Sequence, residues 1–205
     1  CAGVEKFSAS KTYTNTIAVL IYLAYLIGKK NVTEIENVYS ESLKVMESVL
    51  EDCSKNIDEM CNFFGDAKYI AAIGSGFSFS TASQCELIIQ EAGKILSSAY
   101  TTGQFTHGPN EITDDKYNAI IFDFDEKMTD YTDRIINDIL SCGGKTLVIT
   151  NRNLNIKATN AYTFMIDFKN SVMSPILEII PVEMLINHIG LKRNLQPGLL
   201  KKVVK

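Results

Sequence analysis

From residue 68 onward, short β-rich runs alternate with helical patterns, and this alternation limits the fold more than any other feature of the chain. The runs cover residues 69–73, 95–100, 119–124, 145–150 and 162–166. Helical patterns lie between them at 80–92 and 127–140, and a long one follows at 173–189. Strands separated by helices pair in parallel, because a parallel crossover has room for a helix and a hairpin does not. The expected fold class is α/β, a parallel sheet flanked by helices on both faces. Ser141-Cys142-Gly143-Gly144 reads as the stop of one of these helices. Pro175 suits a first turn, whereas Pro181 falls inside the last helix, where a kink is expected.

Helices precede the first strand. Residues 8–28 open on Ser, Thr and Asn and close on Gly28-Lys29-Lys30, which are helix boundary signals. Residues 31–51 and 53–64 read as two further helices, the first with Thr33 and Glu36 spaced for a capping box. The most apolar run, 17–27, is well short of the ~20 residues a membrane span needs. It is expected to be a buried helix, and no membrane partner is expected. Its apolar residues go nearly all the way round, which suits several packing neighbours or a subunit interface. The chain thus divides into a helical segment (1–65), an α/β domain (66–190) and a basic tail (191–205). It begins with Cys, close to a helix start, so an N-terminal part of a longer protein is expected to lie upstream.

Net charge is −4 with both signs interspersed, and without a basic stripe no nucleic acid partner is expected. Five cysteines without a CxxC spacing suit reduced thiols in a cytoplasmic protein, all readable as small buried apolar residues.

Three features could carry chemistry. Ile73-Gly74-Ser75-Gly76-Phe77-Ser78 sits where a strand turns into a helix. Such a turn stands equally for an anion site or for plain architecture. No Gly-Lys-Ser/Thr follows it, and the third glycine of a dinucleotide fingerprint is missing. Glu91 lies on the helix after that loop, with Glu86 nearby, and reads most simply as a solvated carboxylate. His107 follows in a turn bounded by Gly108-Pro109, near the sheet edge where α/β proteins place ligands. His188 reads as a core or interface residue. Two histidines and no Cys/His/Asp cluster make a metal site unexpected. Asp123, Asp125 and Glu126 follow the third strand; they could attract a cation and would repel a phosphate. A glutamate and a histidine without a GxSxG serine suit proton transfer beside a carbonyl rather than acyl transfer.

Several short motifs, in order, resemble the sugar isomerase (SIS) domain, specifically the second SIS domain of two-domain phosphosugar enzymes. Ser8-Ala9-Ser10-Lys11-Thr12-Tyr13-Thr14 is similar to the segment that closes a first SIS domain. Ile73-Gly74-Ser75-Gly76 resembles the turn opening the second, and Phe105-Thr106-His107-Gly108-Pro109 its histidine loop. Ser174-Pro175-Ile176 through Ile180-Pro181 resembles its last helix. The resemblance implies a flavodoxin-like three-layer sandwich. It implies Glu91 as the group that moves a proton between C1 and C2, His107 as the ring-opening group, and Lys202 as a partner of the C2 carbonyl. It implies Ser8, Ser10, Gly108 and Lys201 as substrate contacts, a sugar 6-phosphate as substrate, no cofactor, and a homodimer with a shared active site. The working phosphate loops would belong to the first SIS domain. Ile88 stands where the branch that makes glucosamine 6-phosphate carries lysine, and Gln104 where it carries glutamate. Both substitutions point toward a deglycase or isomerase branch. The alternatives are the isomerase half of glutamine–fructose-6-phosphate aminotransferase and a non-catalytic sugar-phosphate sensor.

Overall fold

The structure is a computed structural model that describes residues 10–199. Five strands, β1 (Tyr69–Gly74), β2 (Leu96–Tyr100), β3 (Asn118–Asp123), β4 (Lys145–Thr150) and β5 (Ala161–Met165), form one sheet in the order β2-β1-β3-β4-β5. Every pair is parallel. The chain steps outward from β1 to β2, then crosses back to β3 on the other side. The switch point therefore lies between β1 and β3.

The helices are α1 (Lys11–Ile27), α2 (Val32–Phe64), α3 (Ser78–Ile88), α4 (Thr102–Thr106), α5 (Thr129–Ser141) and α6 (Ser174–Lys192). Strand residues alternate between two cores, as the two-residue period of a strand requires. Ile70, Ala72, Ile120, Phe122, Leu147 and Ile149 pack with residues of α2, α3 and α6. Ala71, Ile73, Ala119, Ile121 and Val148 pack with Phe105 of α4 and Ile135, Ile136 and Ile139 of α5. With both faces covered, the strands read as continuous apolar runs instead of alternating ones. This is the flavodoxin-like three-layer sandwich.

Four expectations need correcting. The helices expected at 31–51 and 53–64 are one helix, α2, of 33 residues. No Gly or Pro separates them, and Val49, Cys53 and Met60 continue one buried stripe. The start of α2 is capped by Asn31, whose side chain accepts from the Thr33 amide at 3.0 Å, in place of the expected Thr33 box. The apolar run at 17–27 is not buried: no residue of α1 is. Tyr13, Ile17, Ile21 and Tyr25 pack on the core, while Val19, Leu20, Leu23 and Ile27 face outward. Cys53, Cys61 and Cys85 are buried, but Cys142 is exposed just beyond α5; Cys1 lies outside the described residues.

Helix α6 is the core helix. It is long and apolar enough to cross a membrane, yet 72% of that apolar window is buried inside the domain. It runs unbroken through Pro181. Within it, Glu178 is fully buried. Its Oε1 accepts from Ser78 at 2.8 Å and from Ser174, which ties the first turns of α3 and α6 together. Its Oε2 is buried without a hydrogen-bond partner. Burial favours the neutral acid and pushes the carboxyl from 4.5 up to about 7, against the lowering effect of the Ser174, Ser78 and Thr81 hydroxyls. The native state therefore holds a proton that the unfolded chain has released across that window. Stability falls as pH rises from 4.5 to 7, by up to about 3 kcal/mol at ~1.4 kcal/mol per pH unit. Urea unfolding of Glu178→Gln at pH 5 and pH 8 is expected to show a smaller drop than the wild type; an equal drop refutes the assignment.

Candidate functional site

In a β–α–β crossover the helix runs back against the strands. Helix α3 starts at the carboxyl edge of the sheet and ends at the amino edge. Its last turn widens into a π-helix over Ile89–Gly93, with the Ile95 amide donating to the Ile89 carbonyl. Such turns insert a residue into a helix and re-aim side chains. Lys94 then closes the turn in the left-handed conformation, with φ of 52°. Glu91 lies inside this turn and is half-exposed. Its carboxylate makes no hydrogen bond or ion pair among the described residues, so the fold does not employ it.

Beside the π-turn is a cavity of about 350 Å³, at the small end of ligand pockets. Ser10 at the start of α1, Ile88 and Ala92 around the π-turn, Glu183 and Asn187 of α6, and Pro197 and Gly198 line it. Ser10 thus shares a cavity with Ile88 and Ala92, which flank Glu91 in the chain; Glu91 itself is not among the lining residues. Ser8, Lys201 and Lys202 lie outside the described residues. Glu183 and Asn187 escaped the sequence reading. Their one signal is the spacing of four, which stacks a carboxylate and an amide on one helix face.

His107 lies at the opposite edge. The turn expected there is helical: α4 is capped by a box in which Thr101 accepts from the Gln104 amide and Gln104 accepts from the Thr101 amide. Gln104 therefore has a local structural role. Helix α4 is anchored by Phe105, fully buried between the rings of Tyr100 and Tyr117 at 6.0 and 6.1 Å. A buried Ser75–Thr102 hydroxyl contact of 2.6 Å adds a polar tie. His107 ends this helix, exposed, and its imidazole has no partner among the described residues. Gly108, also exposed, follows at φ of 142°. The length of β2, about 13 Å at ~3.3 Å per residue, separates Glu91 from His107. Within one chain they do not meet.

The glycine loop closes directly into the first turn of α3, with an acid beside it. The Ser78, Phe79 and Ser80 amides donate to the Ser75, Gly76 and Phe77 carbonyls. Gly76 has φ of 56°, and a Cβ there would stand 2.9 Å from the Asp125 carboxylate. A carboxylate thus borders the place an anion would take. Asp123, the buried last residue of β3, is pushed up by burial, while Arg152 at 2.6 Å and Thr150 at 3.0 Å draw it down. Arg152 also pairs with Asp133. These acids are engaged with protein partners, and no group of three or more His, Cys, Asp or Glu among the described residues is placed to hold a metal ion.

A doubly wound parallel-sheet domain, with a cavity at the amino edge and a free histidine at the carboxyl edge, defines the class. The chain belongs to the SIS domain family, which matches residues 63–189. Glutamine–fructose-6-phosphate aminotransferase (isomerizing) of Buchnera aphidicola is 26% identical over 196 residues, covering 93% of this chain and 32% of that protein. The C-terminal domain of glucosamine-fructose-6-phosphate aminotransferase from Francisella tularensis superposes with a TM-score of 0.79 at 22% identity, over 96% of this chain and 57% of that one. Glucosamine-6-phosphate deaminase from Thermotoga maritima superposes at 0.71 with 16% identity, over 98% and 58%. The chain thus spans about a third of the curated relative and somewhat over half of these solved chains.

The acid beside the glycine loop makes a prediction. Titration with inorganic phosphate is expected to leave the amide resonances of residues 75–78 unmoved. Saturable shifts there would establish an anion site.

Proposed function

We propose that this chain supplies the proton-transfer part of a phosphosugar isomerase-type site. The observation that carries this is that Glu91 and His107, the two chemistry-bearing residues, are both left unengaged by the fold of a SIS domain. In this reading the Glu91 carboxylate removes the proton from C1 or C2 of an open-chain sugar 6-phosphate. The electron pair moves into a cis-enediol or enolamine, and the same proton returns from Glu91 to the neighbouring carbon, so no oxidant or organic cofactor is consumed. His107 moves the proton of the ring oxygen during opening. Ser10, with Ser8, Gly108 and Lys201, contacts substrate, and Lys202 faces the C2 carbonyl.

The opposite-edge placement of Glu91 and His107 supports a homodimer in which one site takes Glu91 from one subunit and His107 from the other. The uncovered apolar side of α1 supports the view that residues 1–65 hold the end of a preceding SIS domain plus connecting helices, and that the preceding domain holds the phosphate. The curated relatives carry the aminotransferase name. Isomerisation on a fructose 6-phosphate skeleton needs the same C1/C2 proton transfer, as do a ketose/aldose isomerase and a deglycase. Ile88 lining the cavity favours the last two.

Full-length protein incubated in D2O with fructose 6-phosphate, glucosamine 6-phosphate or tagatose 6-phosphate is expected to wash deuterium into C1 or C2. Glu91→Gln should lower that rate by about a hundredfold or more. Because the carboxylate has no partner in the fold, stability should change by no more than ~0.5 kcal/mol. Wild-type exchange in Glu91→Gln sinks the catalytic assignment. Co-expressing Glu91→Gln with His107→Asn tests the shared site. Each mixed dimer should regain one intact site, about half the wild-type rate per dimer, whereas a site built within one subunit regains none.

A further inference from the structure

Lys94 is an odd residue for its place. With φ of 52° it occupies the left-handed region, where a side chain costs energy and glycine costs none. A lysine here must bring something that glycine lacks. What it brings is its ammonium group. Lys94 Nζ donates to the backbone carbonyl of Glu91, inside the π-turn, and to the carbonyl of Leu199 at 3.1 Å. One cation therefore joins the turn that carries Glu91 to the segment 197–199, two residues of which form a wall of the amino-edge cavity.

The same two pieces are brought close from below. At Gly190 of α6, a Cβ would lie 2.9 Å from Pro197 Cγ and 3.1 Å from the Ala92 carbonyl. Only a residue without a side chain lets the segment and the π-turn both seat on α6 there. The Leu195 amide then returns to the Gly190 carbonyl at 2.9 Å and fixes the chain direction into Pro197. Gly190 thus sets the approach, and Lys94 bridges the two pieces.

We infer that Lys94 is a positioning residue, whose ammonium holds the 197–199 wall of the cavity and the Glu91 turn in fixed mutual register. It acts through Glu91 and touches no reacting atom. Its bearing on turnover rests on the reading of Glu91 as the proton-transfer group; its bearing on the wall does not. A carboxylate that must meet one carbon-bound proton loses rate steeply when its turn can rotate, while binding of a phosphate held elsewhere is little affected.

The test uses the full-length protein and three variants. Lys94→Gly removes the ammonium and relieves the backbone. Lys94→Met keeps the stem and loses the charge, and Lys94→Arg restores a cationic donor. In Lys94→Gly and Lys94→Met, amide deuterium exchange at Gly198 and Leu199 should quicken about tenfold, with thermal stability of the Gly variant at or above wild type. Solvent deuterium wash-in into fructose 6-phosphate, glucosamine 6-phosphate or tagatose 6-phosphate should fall about tenfold in kcat, with KM within about threefold. Lys94→Arg should recover most of both. Unchanged exchange at 198 and 199 in both Gly and Met variants overturns the proposal. So does quickened exchange with wild-type turnover in a protein that Glu91→Gln inactivates. If Glu91→Gln itself stays active, the proton-transfer reading falls, and exchange at 198 and 199 alone decides the clamp.

Discussion

A sheet in which every strand is parallel must be covered on both faces, and the rest of this molecule follows from that constraint. Parallel neighbours can be joined only by crossovers, and the crossover helices are what cover the faces. The strands consequently share one direction, so the sheet has an amino edge where all of them begin and a carboxyl edge where all of them end. Every loop belongs to one edge or the other. Glu91 sits in the turn before β2 and His107 in the turn after it. Their separation is a property of the topology, and no choice of rotamer within one chain removes it.

The carboxyl edge is the customary ligand side of an open α/β sheet. Here it is furnished with internal partners. The Asp125 carboxylate stands against Gly76, and Arg152 spans Asp123 and Asp133. The Ser75–Thr102 contact joins the glycine loop to α4. Buried polar groups are costly unless paired, and these pairings use up the donors and acceptors that a ligand would otherwise find. The amino edge is furnished differently. Its cavity collects a serine, a carboxylate and an amide, next to a π-turn whose own carboxylate is free. The polar groups of the first edge serve the fold, whereas at the second edge the Glu91 carboxylate makes no hydrogen bond or ion pair among the described residues.

Much of this was legible in the sequence, and what was not has physical reasons. The five strands stand out as apolar runs because both faces are buried, and their boundaries shift by only a residue or so. The join at residue 52 reads as a break only if charge is taken for a stop; without Gly or Pro, the stripe through Val49, Cys53 and Met60 carries α2 straight on. The π-turn could not be read, because Ile88-Ile89-Gln90-Glu91-Ala92 is ordinary helical sequence until the ladder slips. The distance between Glu91 and His107 could not be read either. Sixteen positions is short along the chain, and only the position of β2 between them makes it long in space. Glu183 and Asn187 carry no motif; they enter the cavity because α6 passes beneath the π-turn.

A carbon-bound proton is removed efficiently only by a carboxylate that is oriented and shielded from bulk water. Glu91 is half-exposed in this fold, so on the proposed reading the chain by itself gives orientation without shielding. The orienting parts are visible: the π-turn, the seat at Gly190 and the Lys94 bridge. The shield has to come from another surface, and α1 offers a place for one. That helix begins at Ser10, on the cavity rim, and turns Val19, Leu20 and Leu23 outward along its length. Covering those side chains would bury apolar area at about 25 cal/mol per Å², a driving force for seating a second surface on α1.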